Sequence, residues 1–434
     1  MSEPTIAELL AAVEPTQARP LLGLIDRLHA GGGLRGAREG GRAIGPSGLA
    51  AVEVRGVTDD SQALEPGMIF VAVPGLHVDG HDYVERAAAR GAAVAIVERP
   101  LPEVALPQLI VERAAIGLAT AAAWWYSDPS REIGVVGITG TDGKTTTSFL
   151  AVAALEAAGL SSGLIGTVAT KIGRSRESNP EHMTTPGAPF LQRAVRAMVR
   201  AGNGAAVVET TSHGLAADRV AAIAYDVAIL TNLTHEHLEF HGSWEAYRDA
   251  KLSLFERLAA GPSNPAKEVA GRPWPKAAVV NADDPNAGAF VGVAQEAGAR
   301  IVTYGTDPSA DVRAVRVEED TQRLRISYEA PGGAATVDLR LAGRFNVHNG
   351  LAVVALGEVL ELDAAAVRDG LAGVEGVPGR MERLDAGQPF GVVIDYAHSP
   401  ASLEKVLGLL APLAAARGGE VIAVFGSAGE RDTD

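Results

Sequence analysis

The sequence contains no cysteine. Disulfides, thiolate metal sites and a cysteine nucleophile are therefore excluded. Positive charge is scarce as well: 38 Lys and Arg stand against 53 Asp and Glu, a formal net charge of −15. That balance argues against broad binding to nucleic acid or an anionic membrane, while leaving room for a local basic site that takes an anionic small molecule. The stretch Met1–Glu14 carries Glu3, Glu8 and Glu14 and no basic residue, so it does not read as a signal peptide. The richest apolar runs, such as Ala114–Trp125, are too short to span a bilayer, and a cytoplasmic location is the expectation. What is present suits a globular protein. Of 434 residues, 47% are hydrophobic and 21% charged, enough for two to four domain cores at roughly 150 residues each.

Strand and helix patterns alternate along the chain, which implies α/β organisation. In the first segment, Leu21–Leu34 reads as a helix ended by Gly31-Gly32-Gly33, and Val52–Val57, Met68–Val73 and Ala92–Val97 read as strands. A second unit opens near Ser130 with the apolar strand Ile133–Thr139 and the helix Thr146–Ala158. The runs Ser162–Ile165, Ala205–Glu209, Asp226–Leu230, Ala277–Asn281 and Arg300–Tyr304 read as buried parallel strands. The Pro- and Gly-rich stretch Pro262–Pro275 reads as a surface excursion, and Asp311–Leu341 alternates like an antiparallel edge. A third unit is expected from Gly343: helices Val347–Leu360, Asp363–Leu371 and Pro400–Ala415, with strands Gly391–Tyr396 and Glu420–Phe425.

Between the strand Ile133–Thr139 and its helix lies Gly137-Ile-Thr-Gly140-Thr141-Asp142-Gly143-Lys144-Thr145-Thr146. Glycines allow a loop whose N–H groups converge on oxyanions, and the helix N-terminus adds partial positive charge. Lys144 would bridge the β- and γ-phosphates, and the Thr145 hydroxyl would ligate Mg²⁺. The strict phosphate-loop pattern fails only at its first Gly, where Ile138 stands. Glu209 ends a buried strand, where α/β sites lie, and can bind a second Mg²⁺ or order a water; the alternatives are a helix N-cap and a surface acid. The stretch Thr231-Asn-Leu-Thr-His235-Glu236-His237-Leu-Glu-Phe-His241 is not H-E-x-x-H, which weakens a zinc-hydrolase reading. Lys251 by itself would be a solvated helix lysine.

Together these residues resemble the Mur ligase family, the ATP-dependent amide-forming enzymes of peptidoglycan synthesis, from about Val54 to Arg431. The loop is similar to the family's G-T-N-G-K-T-T, with Asp142 for the usual Asn. Thr184-Thr185-Pro186, Glu209-Thr-Thr-Ser-His-Gly-Leu215, Thr231–Gly242 and Asp395-Tyr-Ala-His398-Ser-Pro-Ala-Ser-Leu-Glu404 resemble the MurE, or tripeptide-synthetase, type. The resemblance implies three α/β domains: a uridine-nucleotide domain over 1–115, a P-loop parallel-sheet ATPase over 116–341, and an incomplete Rossmann-like domain over 342–434. It implies ATP and Mg²⁺ as cofactors. Its substrates would be a UDP-N-acetylmuramoyl dipeptide and a free diamino acid, meso-diaminopimelate or L-lysine. No nucleic-acid or membrane partner is implied, and the family suggests a monomer.

Residue by residue, Ser61, Leu76, His77 and Val78 would hold the uridine nucleotide, although Gln62 replaces a basic family residue. Thr184, Thr185, Thr211 and Arg219 would hold the muramoyl peptide, with Ala217 where relatives often carry Gln. Gly140–Thr146 would hold ATP phosphates, and Asn346, His348 and Asn349 would line the adenine pocket. Asp395 matches the ATP and interdomain site, and Arg380 matches a contact to the incoming amino acid. Lys144, Glu209, His237 and Lys251 are the candidate catalytic residues. Thr145, Glu209, His237 and a carbamylated Lys251 are the candidate metal ligands. The tail Gly426–Thr433 is similar to the start of a family segment whose later specificity loop does not occur in this sequence, so the third domain is expected to be incomplete and the isolated chain poorly stable. The competing readings are another Mur ligase, a folylpolyglutamate synthase-like enzyme, a protein that binds substrate without completing ligation, and a plain P-loop kinase.

Overall fold

The computed structural model describes residues 3–75, 78–181, 183–234, 236, 238–259, 267–319, 323–397 and 400–426. The N-terminal unit is built on a six-stranded sheet, in the order Arg42–Ile44, Leu34–Glu39, Gln108–Val111, Val94–Val97, Ile69–Val71, Val57–Thr58. Its last four strands are parallel and nearly all buried, which is why they read as continuous apolar runs. The expected strand Val52–Val57 is split into Glu53–Val54 and Val57–Thr58, which pair in different sheets. Helix Ala114–Trp125 packs into this unit's core, with Trp125 1% exposed. A boundary at residue 115 would therefore cut a helix that belongs to the first unit. Helix Ile6–Ala11 lies elsewhere: Ile6 and Leu10 join an apolar layer of the central sheet.

The central unit carries an eleven-stranded sheet among the described residues. Its parallel heart is formed by β1 (Gly134–Thr139), β2 (Ser162–Ile165), β3 (Ala205–Glu209), β4 (Val227–Leu230), β5 (Ala277–Asn281) and β6 (Arg300–Gly305), in the order β2-β3-β1-β4-β5-β6. These are the strands expected from the apolar runs. Val312–Glu319, Leu324–Glu329 and Ala335–Leu339 extend the sheet as the expected antiparallel edge. From β1 the chain first adds strands on one side and later on the other. The loop after β1 thus sits at the switch point where α/β sheets bind ligands.

The helices that follow are α1 (Lys144–Ala157), α2 (Ala188–Arg200), α3 (Ser212–Ala216), α4 (Trp244–Glu256), α5 (Ala287–Glu296), α6 (Asn346–Leu360), α7 (Ala364–Ala372) and α8 (Pro400–Ala415). The sequence reading places α6 and α7 in the third unit. Their packing lies instead with the central sheet: Leu351, Leu356, Val367 and Leu371 share one core with Leu150 and Leu155 of α1. Gly370 permits this, because a side chain there would run into the backbone of Ala153 and Ala154.

The stretch Pro262–Pro275 is only partly described; in its described end Glu268 and Ala270–Pro273 are exposed as expected, while Lys267, Val269 and Trp274 are buried. Trp274 is 1% exposed and lies against Gly134 at the start of β1, with its indole N–H donating to the Glu268 carbonyl at 3.1 Å. Lys267 is also buried and donates to Asp226 at 2.7 Å. Beyond α7 the chain forms an antiparallel pair, Glu382–Leu384 with Val392–Ile394, and then α8. Glu420–Phe425 makes no ladder, contrary to expectation. A strand needs a neighbour to pair its N–H and C=O groups, and none of the described residues supplies one; Ile422 and Val424 are 88% and 94% exposed.

Gly370→Val is expected to destabilise the chain by about 1–3 kcal/mol through overpacking between α7 and α1. Gly288→Ala, in open space on α5, is expected to leave stability unchanged or slightly raised. Denaturant titration compares the two; equal stability of Gly370→Val and wild type would mean that α7 does not pack on α1.

Candidate functional site

Strand β1 ends at Thr139, and the loop Gly140–Gly143 turns directly into α1. The turn depends on two glycines. Gly140 has φ +144°, and a side chain there would strike Thr231 and Asn232; Gly143 has φ +84° and faces the Asn349 amide. Asn232 holds the loop from β4's side: its carbonyl accepts from Thr141 N–H at 2.8 Å and its side chain from Asp142 N–H at 2.9 Å. Thr141 Oγ1 meets the Tyr247 hydroxyl at 2.8 Å.

Both candidate lysines converge on this loop. Lys144 Nζ donates to the Gly140 and Thr141 carbonyls at 2.9 and 2.8 Å. Lys251, projecting from α4, donates to the same Gly140 carbonyl at 2.8 Å and stands 4.5 Å from the centre of the Tyr247 ring. Lys251 is 2% exposed, so it is not the solvated helix lysine that its sequence position alone suggests. Burial drives its pKa well below the ordinary lysine range, and the neighbouring Lys144 charge adds to that. Burial lowers the Lys144 pKa too, against the opposing charges of Glu236 and Glu209.

Glu209 is fully buried at the end of β3. Its carboxylate accepts from Thr145 Oγ1 at 3.0 Å, from Thr167 Oγ1 at 2.9 Å and from Thr167 N–H at 3.1 Å. Burial raises its pKa, while these hydrogen bonds and the Lys144 charge work the other way. Its backbone carbonyl accepts from Thr185 Oγ1 at 2.9 Å. Thr185 Oγ1 also meets Thr211 Oγ1 at 3.0 Å, Thr184 Oγ1 meets Thr167 Oγ1 at 3.0 Å, and Arg219 donates to the Thr185 carbonyl at 2.9 Å. Burial lowers the Arg219 pKa, opposed by the charge of Asp59 on the N-terminal unit. The four expected peptide-binding residues thus form one connected cluster. Ser61 is buried near Asp59, whereas Val78 is half exposed.

A cavity of about 510 Å³ opens beside the loop. Asp142, Gly143, Thr145 and Thr146 form one wall, and Asn346, His348 and Asn349 of α6 a second. Asn349 donates to Asn346 Oδ1 at 2.8 Å, and His348 Nε2 lies 2.7 Å from Asp283 Oδ2. The third wall comes from beyond α7. Arg380 reaches Thr145 Oγ1 at 3.2 Å and lies over the Tyr396 ring, while Asp395 accepts from Met381 N–H at 2.7 Å. Lys405 of α8 donates to Asp142 Oδ2 at 3.0 Å. Lys251 and Glu209 reach the loop at different points, Gly140 and Thr145. Leu76, His77 and His237 lie outside the described residues.

Several contributors escape the sequence reading. Thr167 has no motif around it. Tyr247 sits one helical turn before Lys251 on α4, which is the spacing that could have drawn attention to it. Asp283 follows Asn281 at the end of β5, where a polar cluster closing an apolar strand is itself a signal. Lys405 comes just after the Asp395 motif and carries none.

The Mur ligase catalytic-domain family matches residues 53–120, the Mur ligase middle-domain family 138–357, and the Mur ligase glutamate-ligase-domain family 379–434. A UDP-N-acetylmuramyl-tripeptide synthetase of Roseiflexus sp. is 47% identical over 88% of this chain and 74% of its own. A UDP-N-acetylmuramoyl-L-alanyl-D-glutamate–2,6-diaminopimelate ligase of Geobacter metallireducens is 39% identical over 90% of this chain and 74% of its own. Among solved structures, one of a UDP-N-acetylmuramoyl-L-alanyl-D-glutamate–2,6-diaminopimelate ligase superposes with a TM-score of 0.69 at 28% identity, over 88% of this chain and 75% of the other.

Glu209→Gln is expected to keep or raise thermal stability at pH 7 while lowering nucleotide-dependent activity at least about a hundredfold, because the variant no longer buries a charge. The sign follows from the raised pKa: the cost of the charge is present above Glu209's folded pKa and vanishes below its unfolded value. The stability gap between variant and wild type should therefore close on acidification; a gap that widens would contradict this account. With the three matched families spread along the chain and relatives this similar over most of it, the chain belongs to the Mur ligase family, on its MurE, or tripeptide-synthetase, branch.

Proposed function

We infer that this chain joins a diamino acid, diaminopimelate or lysine, to UDP-N-acetylmuramoyl-L-alanyl-D-glutamate at the expense of ATP, a step of peptidoglycan synthesis. One observation carries the reading: Glu209 belongs to both half-sites. Its carboxylate holds the phosphate-loop Thr145, and its carbonyl holds Thr185 of the threonine and arginine cluster. An anionic acceptor bound there would present its carboxylate to the γ-phosphate of a nucleotide in the adjoining cavity.

The chemistry then has two steps. The substrate carboxylate attacks the γ-phosphorus, the bond to ADP breaks, and an acyl phosphate forms. The incoming amine attacks the acyl carbon, loses a proton, and phosphate departs from the tetrahedral intermediate. A carboxylate is a poor electrophile, and phosphorylation supplies its leaving group. Lys144 offsets repulsion between the two anions and the charge developing on the phosphoryl group. Arg219 suits the acceptor's oxygens through its planar fork of donors. Asn346 and Asn349 offer amides suited to a base edge. The N-terminal unit, through Ser61 and Val78, would take the uridine end.

The Thr145 hydroxyl and Glu209 carboxylate are hard oxygen donors in a buried pocket, a set that fits Mg²⁺. When bound, the ion supplies charge neutralisation at the phosphates. Lys251 fits carbamylation: burial favours its neutral amine, whose nitrogen can bond to the carbon of CO₂ and release a proton, leaving a carboxylate. The product would be a further oxygen donor at the loop.

Phosphate release by the purified chain with ATP and Mg²⁺ is expected to require both the UDP-dipeptide and one diamino acid. Release without an amine would point to a kinase, and release with folate would overturn the peptidoglycan assignment. Lys251→Ala is expected to lose at least about tenfold in rate, and short carboxylic acids should restore part of it by standing in for the carbamate. A loss indifferent to added carboxylate would count against the modification. At fixed dissolved CO₂, protonating Lys251 removes the nucleophile, so activation by CO₂ should fall as pH falls.

A further inference from the structure

We propose that Asp142 and Lys405 form a charge-compensating pair that makes nucleotide affinity depend on docking of the segment after α7 against the phosphate loop. This rests on the nucleotide reading of the cavity. Both side chains line that cavity, and their charged atoms meet at 3.0 Å across its mouth. Asp142 belongs to the loop itself, between Thr141 and Gly143, and its backbone N–H and carbonyl are already held by Asn232 and Thr231. The backbone is therefore fixed there, and it keeps the carboxylate at the edge of the loop that would receive phosphates.

A bare carboxylate there repels a polyphosphate. That repulsion is a penalty on nucleotide binding, smaller where water intervenes. Lys405 removes that penalty only when α8 is in place, since it reaches the loop from a helix 263 residues further along the chain. Arg380 makes a second bridge from the same segment, to Thr145. Without the docked segment, Asp142 opposes the nucleotide; with it, the loop's outer edge is neutral.

In solvent the pair is half exposed, and exposed ion pairs alone contribute little. Its effect is expected to appear in nucleotide binding rather than in folding, because the bound phosphates supply the third charge.

The test is a double-mutant cycle on the full chain, reading ADP and ATP dissociation constants by calorimetry with Mg²⁺ present. Lys405→Met is expected to weaken binding about three- to tenfold in the wild-type background and less than about twofold in Asp142→Asn, with the difference shrinking in high salt. Asp142→Asn alone is expected to bind at least as tightly as wild type. Thermal melts of each variant check that folding is retained, and Lys405→Arg should recover binding. Equal losses from Lys405→Met in both backgrounds, or none in either, would overturn the pair while leaving the nucleotide site standing. Absence of nucleotide binding by the wild-type chain would overturn both.

Discussion

A carboxylate buried at the end of a parallel strand must be satisfied on every side or it will not stay charged, and Glu209 imposes that condition on its surroundings. Its solution draws on two segments remote in sequence: the start of α1, through the Thr145 hydroxyl and the Lys144 charge, and Thr167 after β2. The same residue's carbonyl ties down Thr185, and through it Thr211 and Arg219. The two halves of the site are thus registered to one another through a single backbone position. The order β2-β3-β1 makes this possible, because β3 and β1 are paired neighbours and their carboxyl ends open side by side.

The positive charges obey a matching constraint. Lys144 and Lys251 both give hydrogen bonds to the Gly140 carbonyl, and both are desolvated. Two ammonium groups so close favour the neutral form of at least one, and Lys251, the more buried of the two and repelled by the Lys144 charge, is driven well below the ordinary lysine range. A loop that must receive a polyphosphate benefits from donors whose charge is poised rather than already neutralised by fixed acids.

Much of this architecture is legible in the residues. The strand, glycine turn and Lys-Thr of Gly137–Thr146 announce a phosphate loop, since few other uses need that backbone. The parallel strands declare themselves because burial on both faces leaves no polar alternation. The threonines proposed for the peptide are legible only through the family resemblance; their hydroxyls meet across segments that no periodicity connects. Periodicity likewise identified α6 and α7 as helices yet could not say which sheet they cover. That depends on Gly370 allowing close approach to α1, a property of two surfaces at once. Trp274 misleads for the same reason: Pro and Gly around it signal a loop, while its indole lies against Gly134.

Lys405 marks the limit more sharply. Nothing in its local sequence separates it from any helix lysine, and its partner Asp142 reads only as an acidic variant of a phosphate loop. Their meaning arises from distance in space, 3.0 Å, set against distance in sequence. The third wall of the cavity, built from Arg380, Asp395 and Lys405, is contributed wholly by chain that follows α7. Val377 still belongs to the central apolar core, but the described contacts of Arg380 and Lys405 with the nucleotide loop beyond it are polar. Polar contacts of that kind can be exchanged for contacts to phosphate at little net cost, whereas an apolar interface would have to be torn open. A site that must admit one polyanion, react it with another and release the product is suited to a cover held in this way.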